Sequence, residues 1–295
     1  MTGEIALRSP AKINWTLDVL GRRDDGYHEV RTLLQTIALS DTVTVTPADG
    51  LELELSGSVE TLRKETSESN LAYRAAQLLL DEYRAGAGAL IKLEKRIPVA
   101  AGLGGGSSNA AATLRALRSL WRPSVTNDDL AAMAAKLGSD VPFFLTGGTA
   151  LGSGRGDEVS LLPDALPQRL VVAWPDLPVK DKTAQAYKAL QPEHYSDGTA
   201  TERLAERLSS GGSVTNEDIH NVFEYALPSI DAAAGRMFAD AHALGRPHLA
   251  GSGPAFFFLL AEDEPAGPII RGLTTMGLNA FETHTISAAE ATEIL

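Results

Sequence analysis

Residues 98–112 read PVAAGLGGGSSNAAA, and residues 102–109 alone hold four glycines, two serines and an asparagine. A helical pattern begins directly after them, because Ala110, Leu114 and Leu117 recur at spacings of four and three. Glycines let a backbone approach an anion closely, and the first N–H groups of a helix have no partner within that helix. The stretch therefore predicts a phosphate-binding loop at a helix N-terminus.

The alternatives for this stretch are a flexible linker or a plain strand-to-helix turn. Four glycines placed directly before an amphipathic helix favour the phosphate loop. The loop is not a Walker A motif, because no Gly-Lys-Ser/Thr closes it, and Ser107 stands where a dinucleotide-binding pattern needs its third glycine. Ser107 and Ser108 can add hydroxyl contacts to phosphate oxygens or to a bound metal.

The composition of the chain excludes several classes of protein. The 295 residues are 44% hydrophobic and 22% charged, which is typical of a soluble globular protein large enough for two domains. A net charge of −12 argues against a broad surface for nucleic acid or anionic membranes. The chain has no cysteine, and its six histidines show no metal-ligand spacing, so we predict no metal site built from side chains alone. Without an apolar run of membrane-spanning length or a signal-peptide pattern, we expect a cytoplasmic protein.

Residues 11–19 alternate between apolar and polar side chains and predict a strand. Its polar face carries Lys12 and Asn14, which is either a functional pair or a solvated edge of the sheet. The polar loop that follows ends in Tyr27 and His28, which either bind a ligand or only anchor the loop.

The rest of the first half predicts alternating strands and helices. Strands at 41–46 and 51–55 should form a hairpin, because a turn signal separates them. Asn70 is expected to cap a helix, a strand is predicted at 89–94, and Thr126 and Gly138 should bound a further helix.

Asp140 stands directly before a Val-Pro pair in the stretch GSDVPFF at 138–144. An acidic residue there commonly caps a helix that begins with proline. The alternative is a carboxylate held near the phosphate loop, close enough to accept a proton from a hydroxyl group.

The second half predicts a strand at 170–174 and helices at about 183–190, 201–209, 216–227 and 229–244. The stretch HLAGSGPA at 248–255 then leads from one middle strand through a hairpin into the next, at 256–260, before a helix near 265–276 and a strand near 279–286. Without the helical insert, the order is β-α-β-β-α-β, a ferredoxin-like arrangement. Gly251 and Ser252 fall at the hairpin between its middle strands, which is either a tight turn or a second glycine turn that closes over a substrate.

Three stretches in their order along the chain, PAKIN at 10–14, the glycine loop at 98–108 and AGSGP at 250–254, resemble the signature motifs of the GHMP kinase superfamily. Two further stretches, DGYH at 25–28 and GSDVPF at 138–143, are similar to one family within it, whose members phosphorylate 4-diphosphocytidyl-2-C-methyl-D-erythritol (CDP-methylerythritol).

The resemblance implies an α+β, two-domain GHMP kinase fold with the active site in the cleft between the domains. Residues 1–160 would form an ATP-binding domain similar to ribosomal protein S5, and residues 161–295 a ferredoxin-like domain. It also implies ATP-dependent phosphorylation of the 2-hydroxyl of the methylerythritol group in the non-mevalonate isoprenoid pathway, with ATP and Mg²⁺ as cofactors.

The resemblance assigns roles to single residues. Asp140 would be the catalytic base, and Lys12 would lie beside it and the reacting hydroxyl. The substrate-binding residues would be Asn14, Tyr27, His28, Thr183, Tyr187, Gly251 and Ser252. Among them, Tyr27 and Tyr187 would enclose the cytosine ring and His28 would bind its edge. The ATP-binding residues would be Asn70, Leu71, Lys95, Pro98, Val99, Ala100, Ala101, Gly102, Leu103, Gly104, Gly105, Gly106, Ser107, Ser108 and Asn109.

Three alternatives to this function remain open at the level of sequence. They are another small-molecule kinase of the same superfamily, a nucleotide-binding regulator without catalysis, and an RNA-binding module. Tyr27 and His28 argue against the first, because a substrate without a base has no use for a pyrimidine clamp. Lys12 and Asp140 together argue against the second, and the net charge of −12 argues against the third. We expect a monomer or weak homodimer that binds a small-molecule substrate, and neither nucleic acid nor membrane.

Overall fold

The computed structural model describes residues 3–57, 67–83, 88–121, 124–176 and 182–295. Its strands are β1 (Ile5–Arg22), β2 (His28–Ala48), β3 (Leu51–Gly57), β4 (Gly88–Lys95), β5 (Thr149–Ser153), β6 (Glu158–Leu161), β7 (Arg169–Trp174), β8 (His220–Asn221), β9 (Pro247–Leu249), β10 (Phe256–Leu259) and β11 (Asn279–His284). Its helices are α1 (Leu71–Tyr83), α2 (Gly105–Trp121), α3 (Asn127–Leu137), α4 (Val141–Phe144), α5 (Lys182–Ala189), α6 (Thr199–Ser209), α7 (Leu227–Ile230), α8 (Ala232–Ala241), α9 (Ala266–Thr275) and α10 (Ala288–Ala291). In this part of the chain, no helix is long and apolar enough to cross a membrane.

Within the described ranges, the first sheet has seven strands, in the order β3-β4-β2-β1-β8, with β5 paired to β2 and β6 paired to β5. Helices α1, α2 and α3 cover it, and their buried residues form one hydrophobic cluster with those of β2 and β4. Much of the helical contribution is alanine, including Ala72, Ala75, Ala110 and Ala111, all fully buried. Small side chains let the helices approach the sheet and each other closely, which sets α2 and the loop before it tightly against β1.

The second sheet has the order β11-β7-β10-β9, and all its neighbouring strands are antiparallel. This is the order that the β-α-β-β-α-β pattern predicts, so the ferredoxin-like arrangement and the α+β fold are confirmed. Strand β10 lies in the middle of this sheet and is wholly apolar, Phe-Phe-Phe-Leu, because neighbours cover it on both faces.

The two sheets share a hydrophobic cluster where they meet. Ile13 and Trp15 of β1 lie in it with Val172 of β7 and Phe257 of β10, all fully buried. The second half of the chain also contributes to the first sheet, because β8 pairs in parallel with β1 at Thr16 and Leu17. The two halves therefore interlock, and the division into residues 1–160 and 161–295 stays a prediction.

Two predictions of secondary structure are wrong. The expected hairpin between 41–46 and 51–55 does not form, because β4 lies between β2 and β3 and pairs with both. Nor is the segment 216–227 one helix, since it contains β8 and a short 3-10 turn, Val222–Glu224. Its apolar side chains are buried by packing onto β1 and the second sheet instead, which helical spacing alone cannot reveal.

The helix expected at 229–244 is interrupted at Asp231. The Asp231 carboxylate accepts hydrogen bonds from the backbone N–H groups of Ala233 and Ala234, at 2.8 and 2.9 Å, and so begins α8. The other helix starts follow the sequence more closely. Thr126 forms a full capping box with Asp129, and Asn70 accepts a hydrogen bond from the N–H of Ala72 at the start of α1.

Candidate active site

Lys12 and Asp140 form an ion pair of very unequal exposure. Strand alternation places Lys12 and Asn14 on one face of β1, and the Lys12 ammonium donates a hydrogen bond of 2.8 Å to Asn14 Oδ1. Lys12 Nζ lies 3.7 Å from Asp140 Oδ2, and the two side chains are 4% and 40% exposed. Lys12 is thus not a solvated edge lysine. The Asp140 carboxylate lines a cavity, and the buried ammonium of Lys12 lies next to it.

Asp140 occupies the N-cap position of α4 but makes no capping hydrogen bond with its side chain. The explanation of Asp140 as a helix cap therefore does not hold, and its carboxylate can instead accept a proton from a ligand. Val141 and Phe143 of α4 are fully buried in the first core and fix the position of the residue before them.

The glycine loop is held in conformations that most side chains do not permit. Ala100, Gly102 and Gly104 have φ angles of +55°, +94° and +74°. A Cβ atom at Gly104 would lie 2.7 Å from Phe144 Cζ. Helix α2 begins at Gly105, and its first backbone hydrogen bond runs from Ser108 N to Gly104 O. The N–H groups before that bond form a helix N-terminus of the kind that binds anions.

Two cavities meet at this loop. The smaller, of about 350 Å³, is lined by Asn70, Leu71, Lys95, Asn109 and the ten loop residues 98–107. The larger, of about 880 Å³, is lined among others by Lys12, Asn14, Tyr27, His28, Asp140, Thr183, Tyr187, Gly251 and Ser252. Gly102, Gly104 and Ser107 line both. The structure thus brings the residues predicted for the substrate into one cavity and nearly all those predicted for ATP into the adjoining one.

Ser108 lines neither of these two cavities. Its hydroxyl accepts a hydrogen bond of 2.9 Å from Ser9 Oγ, inside the contact between β1 and α2. Its backbone N–H is also used, in the first hydrogen bond of the helix. A direct contact between Ser108 and the nucleotide stays a prediction that this placement does not favour.

Lys95 and Asn109 belong to a buried polar cluster centred on Asp41. The Lys95 ammonium is paired with the Asp41 carboxylate and donates a hydrogen bond of 2.6 Å to Asn109 Oδ1. The other Asp41 oxygen accepts hydrogen bonds from the backbone N–H groups of Arg96 and Ile97, at 2.6 and 2.8 Å. The cluster fixes the entry to the glycine loop. Lys95 also lines the smaller cavity, and a nucleotide contact by its ammonium stays a prediction.

The aromatic residues of the larger cavity are not arranged as two facing tyrosines. Tyr27 is 56% exposed, and the guanidinium carbon of Arg155 lies 5.0 Å from its ring centroid. Tyr187 instead stacks on His28, with centroids 4.9 Å apart and planes at 19°. Burial, with the nearby charge of Arg22, lowers the pKa of His28, so its ring is neutral at neutral pH and offers one donor and one acceptor.

The turn between β9 and β10 closes the larger cavity from the second half of the chain. The Gly251 N–H donates to Asn14 Oδ1 at 3.1 Å, and Asn221 Nδ2 donates to Gly251 O at 2.8 Å. The hydroxyls of Thr183 and Ser252 lie 3.0 Å apart. Residues distant in sequence are thus joined around Lys12, and the turn is more than a connection between strands.

A metal ion would find few side-chain ligands here. Among the described residues, no three or more His, Cys, Asp or Glu side chains are grouped to hold one. The oxygen ligands nearest to the phosphate loop include the Ser107 hydroxyl, which lines both cavities, and the Asp140 carboxylate is an anionic one in the larger cavity. This set suits a magnesium ion bound mainly through phosphate oxygens, with one or two protein ligands.

Comparisons with known proteins agree with this geometry. Residues 70–148, which hold the glycine loop and Asp140, match the GHMP kinases N terminal domain. A 4-diphosphocytidyl-2-C-methyl-D-erythritol kinase of Brevibacillus brevis is 35% identical over 294 residues, 99% of both chains. The chain belongs to the 4-diphosphocytidyl-2-C-methyl-D-erythritol kinase family. The enzyme of that name from Heliobacterium modesticaldum is 40% identical, over 88% of this chain and 87% of its own.

The fold is shared beyond this kinase family. A crystal structure of 4-(cytidine 5'-diphospho)-2C-methyl-D-erythritol kinase has a TM-score of 0.76 at 36% identity, covering 95% of this chain and 98% of its own. A homoserine kinase from Cytophaga hutchinsonii has a TM-score of 0.74 at only 17% identity, covering 100% and 98%. The second comparison shows a common GHMP kinase fold and nothing about substrate.

Sequence reasoning missed three residues of the site in this family member. Asp41 and Arg155 act through partners far away in the sequence, so only the fold reveals them. Lys182 lines the larger cavity directly before Thr183. Its signal in the sequence is only a lysine among other charged residues at 180–182, which is typical of a solvated surface.

Proposed function

We propose that this kinase transfers the γ-phosphoryl group of ATP to the 2-hydroxyl of 4-diphosphocytidyl-2-C-methyl-D-erythritol, giving the 2-phosphate and ADP. One observation carries the proposal. The Lys12–Asp140 pair lies in the same cavity as Tyr27 and His28, and that cavity adjoins the glycine loop. This arrangement supports the proposal, because the residues proposed to bind the base, accept the proton and bind the phosphates line two adjoining cavities.

The reaction needs a proton acceptor, and the attacking oxygen must be aligned with the γ-phosphorus. Asp140 takes the proton of the 2-hydroxyl while the hydroxyl oxygen of the substrate attacks the γ-phosphorus of ATP. The bond from that phosphorus to the β,γ-bridging oxygen breaks, which releases ADP. Lys12 sits behind the carboxylate and beside the attacking oxygen, where its charge offsets the developing negative charge. Asn14 holds the Lys12 ammonium in place through its hydrogen bond.

The glycine loop is the proposed binding site for the ATP phosphates. Its N–H groups and the dipole of α2 favour negative charge at this position. Asn70 and Leu71 also line the smaller cavity and are proposed to contact the adenine. Mg²⁺, which neutralises phosphate charge when bound, would be held by the phosphates with Ser107 as the proposed protein ligand.

The cytosine end of the substrate is the proposed ligand of Tyr27, His28 and Tyr187. Tyr27 offers an exposed aromatic face, Tyr187 offers a buried one, and His28 offers ring nitrogens to the edge of the base. Binding energy from this distant group positions the 2-hydroxyl for attack. Thr183, Gly251 and Ser252 line the same cavity and are proposed to contact the rest of the substrate.

Three further features belong to the proposal. Both cavities are lined by one chain, so a monomer or weak homodimer suffices for activity. We place the enzyme in the cytoplasm, where ATP is made available to biosynthetic enzymes. We also keep the division into an ATP-binding part at 1–160 and a ferredoxin-like part at 161–295.

An assay of ADP release tests this function. The purified chain is incubated with ATP, Mg²⁺ and 4-diphosphocytidyl-2-C-methyl-D-erythritol, with mevalonate, phosphomevalonate and homoserine in parallel. We expect turnover with the cytidine substrate only. Asp140→Asn should reduce kcat by about 10³-fold or more while ATP affinity stays within a few-fold, because the variant lacks only the proton acceptor. Turnover with another acceptor alone would refute the assigned substrate, and normal turnover by Asp140→Asn would refute the assigned base.

A further inference from the structure

The side chain of Lys182 is buried beside the larger cavity. Lys182 is the first residue of α5, its residue surface is 8% exposed, and it lines the larger cavity. Its ammonium has no hydrogen-bond partner among the described residues. An unpaired buried ammonium is unfavourable in a folded protein, so a group of this kind points to an anion that binds beside it.

The charges that act on Lys182 are those of the reaction centre. Burial, together with the charge of Lys12, lowers the pKa of Lys182 to about 7, although the charge of Asp140 opposes this shift. Lys12 and Lys182 repel each other, and the Asp140 carboxylate attracts both. A pKa near 7 allows Lys182 to gain or lose a proton close to neutral pH.

We propose that Lys182 binds the oxygens of the phosphoryl group during its transfer, as a second cation beside Lys12. The proposal rests on the function proposed above. A phosphoryl group that passes from the glycine loop to a hydroxyl at Asp140 must cross the part of the cavity where the two lysines act on the same carboxylate. Its negative charge would supply the partner that Lys182 lacks and relieve the repulsion between the two ammonium groups.

Position along the chain supports this assignment. Lys182 directly precedes Thr183, whose hydroxyl lies 3.0 Å from that of Ser252 in the turn between β9 and β10. The N–H of Gly251 in the same turn is bonded to Asn14, which in turn holds the Lys12 ammonium. The first turn of α5 is thus tied to Lys12 through two side chains and one backbone group. Lys182 is placed by the same contacts that order the catalytic pair.

Steady-state kinetics test the role in transfer. We expect Lys182→Met to lower kcat about 30-fold or more, with the KM for ATP within about threefold, because the lost contact forms mainly during transfer. Lys182→Arg should restore much of kcat, since a cation returns. Lys92→Met is the matched control, because Lys92 is an exposed lysine of β4 that pairs with Glu54 of β3. A kcat for Lys182→Met within threefold of the wild type would overturn the proposal.

Proton uptake on binding tests the contact without turnover. At pH 8, Lys182 is mostly neutral, and an approaching phosphate should raise its pKa and draw up to about one proton from the buffer. Calorimetric titrations in buffers of different ionisation enthalpy measure this uptake for ATP with Mg²⁺, for ADP with Mg²⁺ and for the cytidine substrate. We expect greater uptake with ATP than with ADP in the wild type, and no such difference in Lys182→Met.

The arms of this titration separate the possible sources of phosphate. Uptake that depends on Lys182 but accompanies the cytidine substrate instead would assign the lysine to the substrate diphosphate and overturn the proposal, as would equal uptake in both proteins. Both proteins keep the other ionisable groups of the cavity, so the difference between them measures the uptake that depends on Lys182. Besides three tyrosines, these groups are Lys12, Arg22, His28, Asp140, Arg155 and Lys188. If the wild type fails to phosphorylate the cytidine substrate, the proposed function fails, and the titration still reports on Lys182.

Discussion

At the scale of single residues, the site depends on polar groups that are buried to different degrees. Lys12 is almost wholly buried, Asp140 is partly open, and Tyr27 is mostly exposed. This order follows their proposed work. A cation that stabilises charge acts more strongly away from water, a base must reach its substrate, and a base-binding ring must admit a ligand from solvent.

Tyr27 provides a test of the cytosine site. We expect Tyr27→Ala to raise the KM for the cytidine substrate about 5- to 100-fold, because base–aromatic stacking contributes about 1–3 kcal/mol. The KM for ATP should stay unchanged. Tyr27→Phe is the control, since it keeps the ring that stacks and should keep most of the affinity. Steady-state kinetics with each substrate varied in turn give all four values, and an unchanged KM for the cytidine substrate in Tyr27→Ala would remove the tyrosine from the site.

Single residues were predictable where their neighbours in sequence define a motif. Lys12, Asn14, Tyr27 and the glycine loop belong to short stretches with their own chemistry, and the structure brings them together. Asp41 was not predictable, because its partners Lys95 and Asn109 are more than 50 positions away. Long-range pairs of this kind are set by strand order and helix packing, which no local pattern contains.

At the scale of secondary-structure elements, β8 is tied to β1 through a buried polar network. Asp18 Oδ1 accepts a hydrogen bond from Ser196 at 2.6 Å and lies 3.0 Å from His220 Nε2, and Asp18 Oδ2 accepts one from Thr201 at 2.5 Å. Burial opposes the charge on both members of the pair. The hydrogen bonds outweigh it, so the pKa of His220 is raised and the pKa of Asp18 is lowered.

These shifts predict a pH-dependent contribution to stability. The raised pKa of His220 stabilises the fold fully below pH 6.5 and loses its effect as the pH rises through the folded value. The lowered pKa of Asp18 stabilises the fold above pH 3.8, and its effect is lost as the pH falls through the folded value. We expect His220→Gln to reduce the free energy of unfolding by up to about 1 kcal/mol at pH 5.5 and by less at pH 9, because a partly exposed ion pair contributes little.

Urea unfolding of both proteins at the two pH values checks this. His284→Gln is the matched control, because this histidine is exposed at the end of β11 and should change little at either pH. An equal loss of stability at pH 5.5 and pH 9 would show that the charge of His220 contributes nothing.

Elements were predictable where caps and periodicity agree. The capping box at Thr126 and the glycine at 138 gave the correct limits of α3. The segment 216–227 failed, because β8 is only two residues long and is a strand only through its pairing with β1. The hairpin failed for a related reason, since a turn signal shows where the chain reverses and not which strand then becomes the neighbour.

At the scale of the whole molecule, the contact between the two sheets is part of the hydrophobic core. Trp15 of β1 and Phe257 of β10 are fully buried, with ring centroids 5.8 Å apart and planes at 76°. They lie in one cluster with Ile13, Leu33 and Val172 from both sheets. The halves should therefore unfold together.

Phe257→Ala tests this cooperativity. We expect the free energy of unfolding to fall by about 3–5 kcal/mol, because the substitution leaves a cavity in a closely packed core. The transition should remain single, with tryptophan fluorescence and circular dichroism changing at the same urea concentration. Phe281→Ala is the control, because Phe281 is only half-buried and packs on Trp174, and it should cost less. Two separate transitions in the wild type would show that the halves are independent.

The order of the second sheet was predictable from the sequence, because its alternating elements fit one known arrangement. The interlocking of the halves was not. Strand β8, and the hydrogen bond from Ile286 N to Thr36 O, join distant parts of the chain to the first sheet through backbone atoms that any sequence carries.

The backbone contact between the glycine loop and the turn after β9 has a thermodynamic consequence. A Cβ atom at Gly102 would lie 2.3 Å from Ala250 O, and the N–H of Ala255 donates to Ala101 O at 2.9 Å. A nucleotide bound at the loop, as proposed, would therefore also restrain the turn that is proposed to contact the acceptor substrate. If the nucleotide changes the affinity for the acceptor substrate by some factor, the acceptor must change the affinity for the nucleotide by the same factor. The two affinities would then be thermodynamically coupled.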